Sequence, residues 1–412
     1  ADRSSDTSAD SGHTDQLVRQ LGHPDFETRE QAEQKLKEVG VAAAEAIRTA
    51  ASSGDPEISR RCQRILRDIL REDLQHRMTV FEAGASDLDD SMPGWKPFRE
   101  LIGNSAEDRS LYLRLLKAET GLLLSFDAGT EAIAPALQFR IQQYMQAQNT
   151  PDPVRRTTPS VDTTLMFLFV GSNAELLGQT APMEVAWVRN WLRQSPFQKF
   201  VSDKKNGSGP RTMMVLWTLA RTNNGSFHVD RLYEAVTFQL PEALPVALQG
   251  LQTKPYMGMS IEAIGRLGGK DYAARLVPLL DDETVLGTMT RDKKRIDILA
   301  KDVALAWLVH LSGQKPEDYG MPQASAWFKR LEQSPNHMFS SSSYSVADPD
   351  KRAEFRKKWD EWVAKNPLPK PPKDFSKDVP AGPAAVQPEI KPELDEPEEE
   401  PYHGPQLAER WD

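Results

Sequence analysis

Apolar or small residues recur on one helical face in two segments near the start of the chain. Each segment has four such residues at the spacing i, i+4, i+8 and i+11, which places all four on one face of an α-helix. The two sets lie thirty residues apart and are Thr28, Ala32, Leu36 and Val39, and Ile58, Cys62, Leu66 and Ile69. The small residue at the second place of each set allows a neighbouring helix to approach closely. The pattern therefore predicts two similar amphipathic helices that pack against neighbouring helices.

Turn signals stand immediately before both predicted helices. Gly22–Asp25 reads Gly-His-Pro-Asp, and Gly54–Pro56 reads Gly-Asp-Pro. Asp accepts hydrogen bonds from the free amides of a first helical turn, and Pro is favoured at the first helical position. We therefore expect helices to start directly after these turns. They belong to closely spaced helices over residues 14–75, which follow a disordered polar leader over residues 1–12.

Helical periodicity continues along the rest of the chain. A second helical block is predicted over about 95–147, and a Pro- and Thr-rich linker follows over 149–159. Helices are predicted over 161–235, with a polar loop at 203–210, and the repeat pattern returns over 241–312. One long helix in the last part is predicted from Ile296, Ala300, Val303, Trp307 and Leu311. Because alternation of the strand type is almost absent, the sequence predicts an all-α fold.

Composition separates the body of the chain from its C-terminal segment. Residues 366–412 contain eleven of the thirty prolines and carry a net charge of −6, whereas the whole chain of 412 residues carries −9. A segment that is Pro-rich and then Glu-rich buries too little apolar surface to fold alone. Because the chain is acidic overall, it is also a poor generic binder of polyanions, and nucleic acid is not a favoured partner.

The remaining bulk features limit the compartment and the chemistry. The single cysteine, Cys62, excludes an intrachain disulfide framework and a cysteine-rich metal site. The longest apolar stretch, Leu165–Val170, is too short to span a membrane. The chain begins with Ala1 and a Ser- and Asp-rich stretch. This start fits an exported chain after removal of a signal peptide, and a trimmed cytoplasmic chain would begin in the same way.

Several segments resemble HEAT-like helical-repeat proteins. Thr28–Ala32 followed by Leu36 is similar to the Val-Arg-x-x-Ala-x-x-x-Leu helix of that repeat, and Asp302–Leu308 is similar to a second helix of such a repeat. Three further segments resemble large exported HEAT-repeat proteins of planctomycete bacteria. They are Met92–Trp95 with Phe98 and Gly103, Phe167–Ser172, and Leu305–Gly320. The resemblance implies an α-solenoid and export, and it implies no catalytic activity.

Periodicity and resemblance together predict an α-solenoid of HEAT-like helical hairpins with disordered or extended segments at both ends. We divide the chain into seven parts. They are a polar leader (1–12), N-terminal HEAT-like helices (13–90), a central helical block (91–150), a helical block with the Pro-rich linker and the polar loop (151–235), C-terminal HEAT-like repeats (236–320), terminal helices (321–365) and a Pro- and Glu-rich tail (366–412).

No residue pattern typical of catalysis or cofactor binding stands out. The histidines form no His-x-x-x-His pair, so we expect no metal site. They are His13, His23, His76, His228, His310, His337 and His403. Gly265–Lys270 suggests phosphate binding superficially, but a helix end with a glycine cap explains it. Asn223–Ser226, beside His228 and Asp230, fits a turn with an N-cap. The sequence therefore favours a protein that is not an enzyme and binds no cofactor or small-molecule substrate.

Four arginines form a basic stripe opposite the apolar face of the second predicted helix. They are Arg60, Arg64, Arg67 and Arg71. The stripe can bind an acidic partner or a nucleic-acid backbone, or it can be a solvated face paired with Asp68 and Glu72 at short range. Because such pairing is common on helices, we favour the solvated face and keep the stripe as a candidate partner-binding site.

The tail provides a second candidate binding site through its few apolar residues. They are Phe375, Ile390, Leu394, Tyr402, Leu407 and Trp411. Leu407 and Trp411 stand at i, i+4, so a short terminal helix presents both side chains to a groove, either on a partner or on the chain's own surface.

We interpret the chain as a non-catalytic protein-binding scaffold or a structural subunit of a multiprotein assembly, with other proteins as its partners. Two alternatives remain open. One is an enzyme, or an accessory subunit of an enzyme, with an unrecognised pocket. The other is a nucleic-acid binder that uses the stripe from Arg60 to Arg71.

Overall fold

The computed structural model is built almost entirely from helices. It describes residues 6–52, 54–84, 91–127, 129–172, 182–220, 228–291, 293–334, 337 and 339–371. Most of these residues are helical and few are in strands, which confirms the all-α prediction at the level of helix content. Among the described residues, none of the helices combines the length and the apolar character that a bilayer span requires.

Four helices form the N-terminal part of the molecule. They are α1 (Asp6–Gln20), α2 (Phe26–Val39), α3 (Ala44–Ala51) and α4 (Pro56–Glu82). α1 packs against α2 and α3 against α4, while α1 also contacts α3 and α2 contacts α4, so the four helices form two adjacent hairpins. α1 begins inside the stretch 1–12, so the prediction of a disordered leader is wrong from Asp6 onward. Leu17 fixes α1 in the core, and a helix that is anchored at one end extends readily by further turns.

Both predicted helix starts are confirmed by capping hydrogen bonds. Asp25 Oδ2 accepts a hydrogen bond from the amide of Thr28 at 2.8 Å. Asp55 Oδ1 accepts one from the amide of Glu57 at 2.8 Å, and Pro56 is the first residue of α4. The two hairpins enclose an N-terminal core. It consists of Leu17, Leu21, Ala32, Leu36, Ala43, Ile47, Cys62, Ile65 and Ile69.

The long helix α4 is shared between two cores. It has 27 residues and therefore spans about 40 Å. Ile65 and Ile69 lie in the N-terminal core, whereas Leu74 and Phe81 lie in the next core along the chain. α4 thus ties the first two helical hairpins to the centre of the molecule.

The central core surrounds one fully buried helix. Its helices are α5 (Trp95–Leu101), α6 (Ala106–Ala118), α7 (Thr120–Leu124), α8 (Thr130–Gln148), α9 (Val161–Gly171), α10 (Pro182–Leu192), α11 (Ser195–Ser202) and α12 (Gly209–Ala220). Every residue of α9 from Thr163 to Gly171 is buried, and α6, α8, α10, α11 and α12 pack around it. A helix that is apolar on all sides is stable inside a core, which explains the short apolar run in the sequence.

A third core follows at the C-terminal end of the described chain. Its helices are α13 (His228–Thr237), α14 (Leu244–Gly250), α15 (Lys254–Ala263), α16 (Gly269–Tyr272), α17 (Ala300–Leu311), α18 (Pro322–Gln333) and α19 (Arg352–Lys365). Within it, α17 is buried from Asp302 to Val309. α13 is shared in the same way as α4, because Ala235 belongs to the central core and Leu232 to the C-terminal core.

A β-hairpin interrupts the helices before α17. Strand β1 (Val285–Arg291) pairs antiparallel with strand β2 (Lys294–Leu299). Ile296 lies in β2, so the prediction of a long helix starting at Ile296 is wrong, and α17 starts at Ala300. Ile296 and Ile298 are buried while the residues between and before them are more exposed. This period of two is typical of a strand with one face on a core.

Candidate functional site

The first segment of the planctomycete-like resemblance, Met92–Trp95, serves core packing. Gly94 has φ +67°, and a Cβ on it would lie 2.8 Å from Leu123, so both backbone and space require glycine. The Tyr112 hydroxyl donates a 2.6 Å hydrogen bond to the Pro93 carbonyl. Trp95 has no exposed surface. The segment therefore joins α5 to α6 and α7 and presents no group to a ligand.

Parts of the other two segments of the resemblance are also packed inside. In Phe167–Ser172, Gly171 lies directly against the Trp217 ring, where a Cβ would overlap it. In Leu305–Gly320, the His310 ring stacks on Phe328 with centroids 4.0 Å apart, and burial lowers the pKa of His310. These positions require small or aromatic residues for packing.

A buried polar cluster joins α15 to the C-terminal elements. The Tyr344 hydroxyl donates a 2.6 Å hydrogen bond to Glu262 Oε2, and Trp327 Nε1 donates to the same oxygen at 3.2 Å. Arg266 donates to Glu262 Oε1 at 3.3 Å, and Trp307 donates to the Tyr344 hydroxyl. Burial raises the pKa of Glu262 and lowers that of Arg266. Shifted groups of this kind are typical of active sites.

This cluster is nevertheless closed to solvent. Glu262 and Tyr344 both have no exposed surface. Arg266, Trp327 and Tyr344 of the cluster all donate hydrogen bonds to Glu262. A substrate would have to displace these donors, so the arrangement supports a structural brace. Local sequence patterns could not reveal it, because its members are up to 82 residues apart.

A charged cleft of about 490 Å³ lies beside the N-terminal end of α17. Arg352 donates to both carboxylate oxygens of Asp302, at 3.0 and 2.9 Å. Burial acts to raise the pKa of Asp302 and outweighs the opposing effect of Arg352. Lys301 pairs with Glu283 at 2.7 Å. Because these charges are already matched, the cleft gives no specific support to an enzyme.

A metal site requires several histidine, cysteine or carboxylate side chains close together. Within the described part of the chain, no group of three or more such residues has the arrangement that could hold an ion. The side chains of His228 and of Asn223–Ser226 lie outside the described residues.

The basic stripe of α4 divides into two halves in the structure. In the first half, Arg60 pairs with Glu57 at 3.7 Å, and Arg64 pairs with Glu33 of α2. Burial acts to raise the pKa of Glu33, but hydrogen bonds from Arg64 and Lys37 outweigh it and lower the pKa. Arg64 therefore links α2 and α4, whereas Arg60 is paired within α4.

A neighbouring arginine that the sequence pattern did not single out strengthens the same junction. Arg61 is 8% exposed and pairs with Glu57 at 2.7 Å, Glu30 at 2.8 Å and Glu33 at 3.2 Å. It stands next to Cys62 on the inner face of α4. A buried arginine is stable only when carboxylates surround it in this way.

The second half of the stripe faces a different environment. Arg71 pairs with Asp68 at 2.7 Å, as the short-range interpretation expects. Arg67 and Glu72 have no ion pair among the residues that the structure describes. Arg67 and Arg71 both line a groove, whereas Arg60 and Arg64 do not. Arg64 therefore braces α2 against α4, whereas Arg60, Arg67 and Arg71 lie on the exposed surface of α4.

The groove has a volume of about 900 Å³ and lies between the C-terminal half of α4 and the α6–α7 corner. We call it the α4 groove. Its lining residues are Arg67, Leu70, Arg71, Leu74, Gln75, Arg77, Met78, Thr79, Glu82, Lys117, Thr120 and Leu124. Arg109 of α6 holds its walls together by donating to the Phe81 carbonyl at 3.1 Å.

The floor of the α4 groove is apolar. Leu70, Leu74 and Met78 follow one another at i, i+4 and i+8 along α4, and Leu124 faces them from α7. Leu70 is 39% exposed and Leu124 is 41% exposed. Two large apolar side chains facing each other across a groove are a feature of helix- and peptide-binding surfaces.

The charged lining residues of the α4 groove, which we call its rim, are mostly basic. The rim carries Arg67, Arg71, Arg77 and Lys117 against one acid, Glu82, whereas the whole chain carries a net charge of −9. Arg77 pairs with Asp73 at 2.7 Å, while Lys117, like Arg67, has no ion pair within the described residues. An apolar floor beside two cations that have no ion pair within the described residues, Arg67 and Lys117, suits an acidic segment that carries apolar side chains.

The residues predicted as anchors in the tail lie outside the described residues. These are Phe375, Ile390, Leu394, Tyr402, Leu407 and Trp411. At the base of the tail, Leu368 packs against the C-terminal core, so the part of the tail nearest α19 belongs to the folded body.

Comparison of the chain with protein-family models, with curated proteins and with solved structures gives no match. The resemblance to HEAT-like proteins therefore stays a prediction that rests on the quoted motifs. The function has to be argued from the groove and the packing around it.

Proposed function

We propose that the chain is a non-catalytic protein-binding scaffold whose α4 groove takes an acidic peptide segment with apolar side chains. One observation carries the proposal: a groove of about 900 Å³ with an apolar floor and four basic side chains on its rim. It lies on a chain whose net charge is −9. The cations of the groove attract acidic segments toward it.

The packing of α1–α4 supports a scaffold built on repeats. Two hairpins stand side by side, and equivalent helices contact each other, as in a HEAT-like stack. We propose that these hairpins are two HEAT-like repeats and that the shared helix α4 continues the stack into the central core. The α4 groove then lies where the hairpin stack meets the central core.

Protein is favoured over nucleic acid as the ligand of the basic surface. A nucleic-acid site requires cations spread along several phosphates. Here Arg60 and Arg64 are engaged with Glu57 and Glu33, which leaves a short cationic rim above leucine side chains. Leucines in the floor contribute to binding only if the ligand carries apolar groups.

The test uses full-length chains as baits for proteins of the native source, identified by mass spectrometry. The groove variant is L70D/L124D. The matched control is V154D/V277D, which introduces the same charges at two apolar residues that are 92% and 39% exposed and lie outside the groove. All of these positions are exposed enough for aspartate to be tolerated in the fold.

We expect at least one protein with an acidic segment to be recovered by the wild type and by V154D/V277D, and to be recovered at least tenfold less by L70D/L124D. Equal recovery of every protein by all three baits would contradict the proposal. Recovery of nucleic acid that falls steeply with added salt and is lost in R67E/R71E would favour the nucleic-acid alternative instead.

A further inference from the structure

We propose that residues 391–412 of the same chain bind in the α4 groove and compete there with the partner segment. The inference rests on the proposed function, since it names a second ligand for the same groove. In this role the C-terminal segment reduces the binding of partner proteins to the groove.

Charge is the first argument. Residues 366–390 carry three Lys and three acids, whereas residues 391–412 carry eight acids against Lys391 and Arg410. All of the tail's net charge of −6 is thus concentrated in its last 22 residues. The lining of the α4 groove has the opposite sign, with four cations and one acid. Arg71 and Arg77 are paired with Asp68 and Asp73 of α4, so Arg67 and Lys117 are the cations that remain for the segment. Opposite charges over such a short stretch favour association and fix its position.

The apolar residues of this segment are the second argument. Leu407 and Trp411 stand four residues apart, which in a helical turn is an axial distance of about 6 Å on one face. The floor residues Leu70 and Leu74 of α4 have the same spacing. Two large apolar side chains one turn apart are the usual anchors of a helix in a groove.

Length is the third argument. The described chain ends at Pro371, so the 19 residues 372–390 can span up to about 65 Å when extended. A compact body of this size has a radius of gyration of about 21 Å. The extended linker therefore covers up to about three radii of gyration, which gives the segment a wide reach over the surface from Pro371.

Because residues 391–412 belong to the same chain as the groove, weak contacts are sufficient for them to bind there. A segment on a short flexible linker has an effective concentration on the order of 1 mM. A segment whose intrinsic Kd is tenfold below that concentration occupies the groove about nine-tenths of the time and weakens the apparent affinity of a competing partner about tenfold.

Zero-length carbodiimide cross-linking of the full-length chain tests the proposal, because it joins a lysine to a carboxylate only when they touch. Lys117 on the groove rim is the probe residue, and the exposed Lys294 of β2 is the reference for random encounters. Cross-linked peptides are identified and quantified by mass spectrometry. We expect Lys117 to be linked to the acids at 393–400 at least fivefold more often than Lys294.

Two variants locate the contact. L70D/L124D changes the groove, and L407S/W411S changes the segment that is proposed to bind there. Each should reduce the Lys117 cross-links at least fivefold, whereas V154D/V277D should leave them unchanged. Lys117 cross-links that match those of Lys294, or that persist in both variants, would overturn the inference.

An isotope experiment separates the same chain from a second copy. In a mixture of ¹⁵N-labelled and unlabelled chains, the Lys117 cross-links should join peptides of the same label. Mixed pairs would show that a second copy supplies the segment and would overturn binding within one chain. If cross-links are absent but partner recovery still depends on Leu70 and Leu124, this inference is wrong and the proposed function stands.

Discussion

The chemical behaviour of Cys62 follows from its position in the N-terminal core. It lies on the inner face of α4 with no exposed surface, and burial raises the pKa of its thiol to about 11. Because the thiolate is the reactive form of cysteine, such a thiol is protected by its ionisation as well as by its lack of access. Cys62 acts as a small apolar residue where α4 meets the first hairpin.

Native Cys62 should therefore react with a thiol reagent only after unfolding, and its substitution should act through packing. We expect Cys62→Arg to reduce the free energy of unfolding by roughly 3 kcal/mol or more, because it buries an unpaired charge. Cys62→Ala is the control and should cost about 1 kcal/mol. Urea denaturation measures both variants. Rapid labelling of the folded wild type would contradict the buried position.

Elements show where local patterns are sufficient and where they are not. The starts of α2 and α4 are determined by Asp25 and Asp55, whose side chains cap the next turn, so they could be predicted. The hairpin before α17 could not be recognised from helical spacing, because Ile296 and Ala300 also stand at i, i+4. The decisive signal was the alternation within Lys294–Leu299.

Only part of the α4 groove could be predicted from the sequence, for the same reason. The sequence singled out Arg67 and Arg71 by their spacing, but it grouped them with Arg60 and Arg64, whose partners lie on α2 and within α4. Lys117 and Leu124 are about forty residues or more further along the chain. Their position opposite α4 depends on tertiary packing, which no local spacing contains.

The Glu262 cluster links α15 to α18 and to Tyr344, so its titration should affect how these elements hold together. Burial raises the pKa of Glu262 above its ordinary value of 4.5. A raised folded-state pKa means that the contribution of Glu262 to stability is fully present below the ordinary value and is lost as the pH rises through the folded-state value. Glu262→Gln removes this titration.

We therefore expect the wild type to lose free energy of unfolding relative to E262Q as the pH rises above about 4.5. Glu283→Gln is the control with the opposite sign, because a hydrogen bond from Lys301 lowers the pKa of Glu283. Urea denaturation at several pH values measures both differences. Parallel stability curves for the wild type and E262Q would contradict a titrating Glu262.

At the scale of the whole molecule, three cores are joined by shared helices. α4 contributes to the N-terminal and central cores, and α13 contributes to the central and C-terminal cores. A shared helix contributes side chains to two cores, so a displacement that disrupts one core also disrupts the other. Each shared helix therefore couples the stability of the two cores. The α4 groove lies on one of these shared helices, where a bound segment contacts the junction directly.

Removal of residues 372–412 should leave this body intact. A tail that occupies the groove nine-tenths of the time stabilises the folded state by about 1.4 kcal/mol, so the deletion should lower the free energy of unfolding by no more than that. The far-ultraviolet circular dichroism spectrum should stay helical.

The control adds Leu368→Ser to the deletion, and because Leu368 packs against the C-terminal core, it should cost about 1–2 kcal/mol more. Loss of the helical spectrum on deletion of 372–412 would show that the segment belongs to a core, and a sheet content near a fifth of the residues would contradict the fold itself.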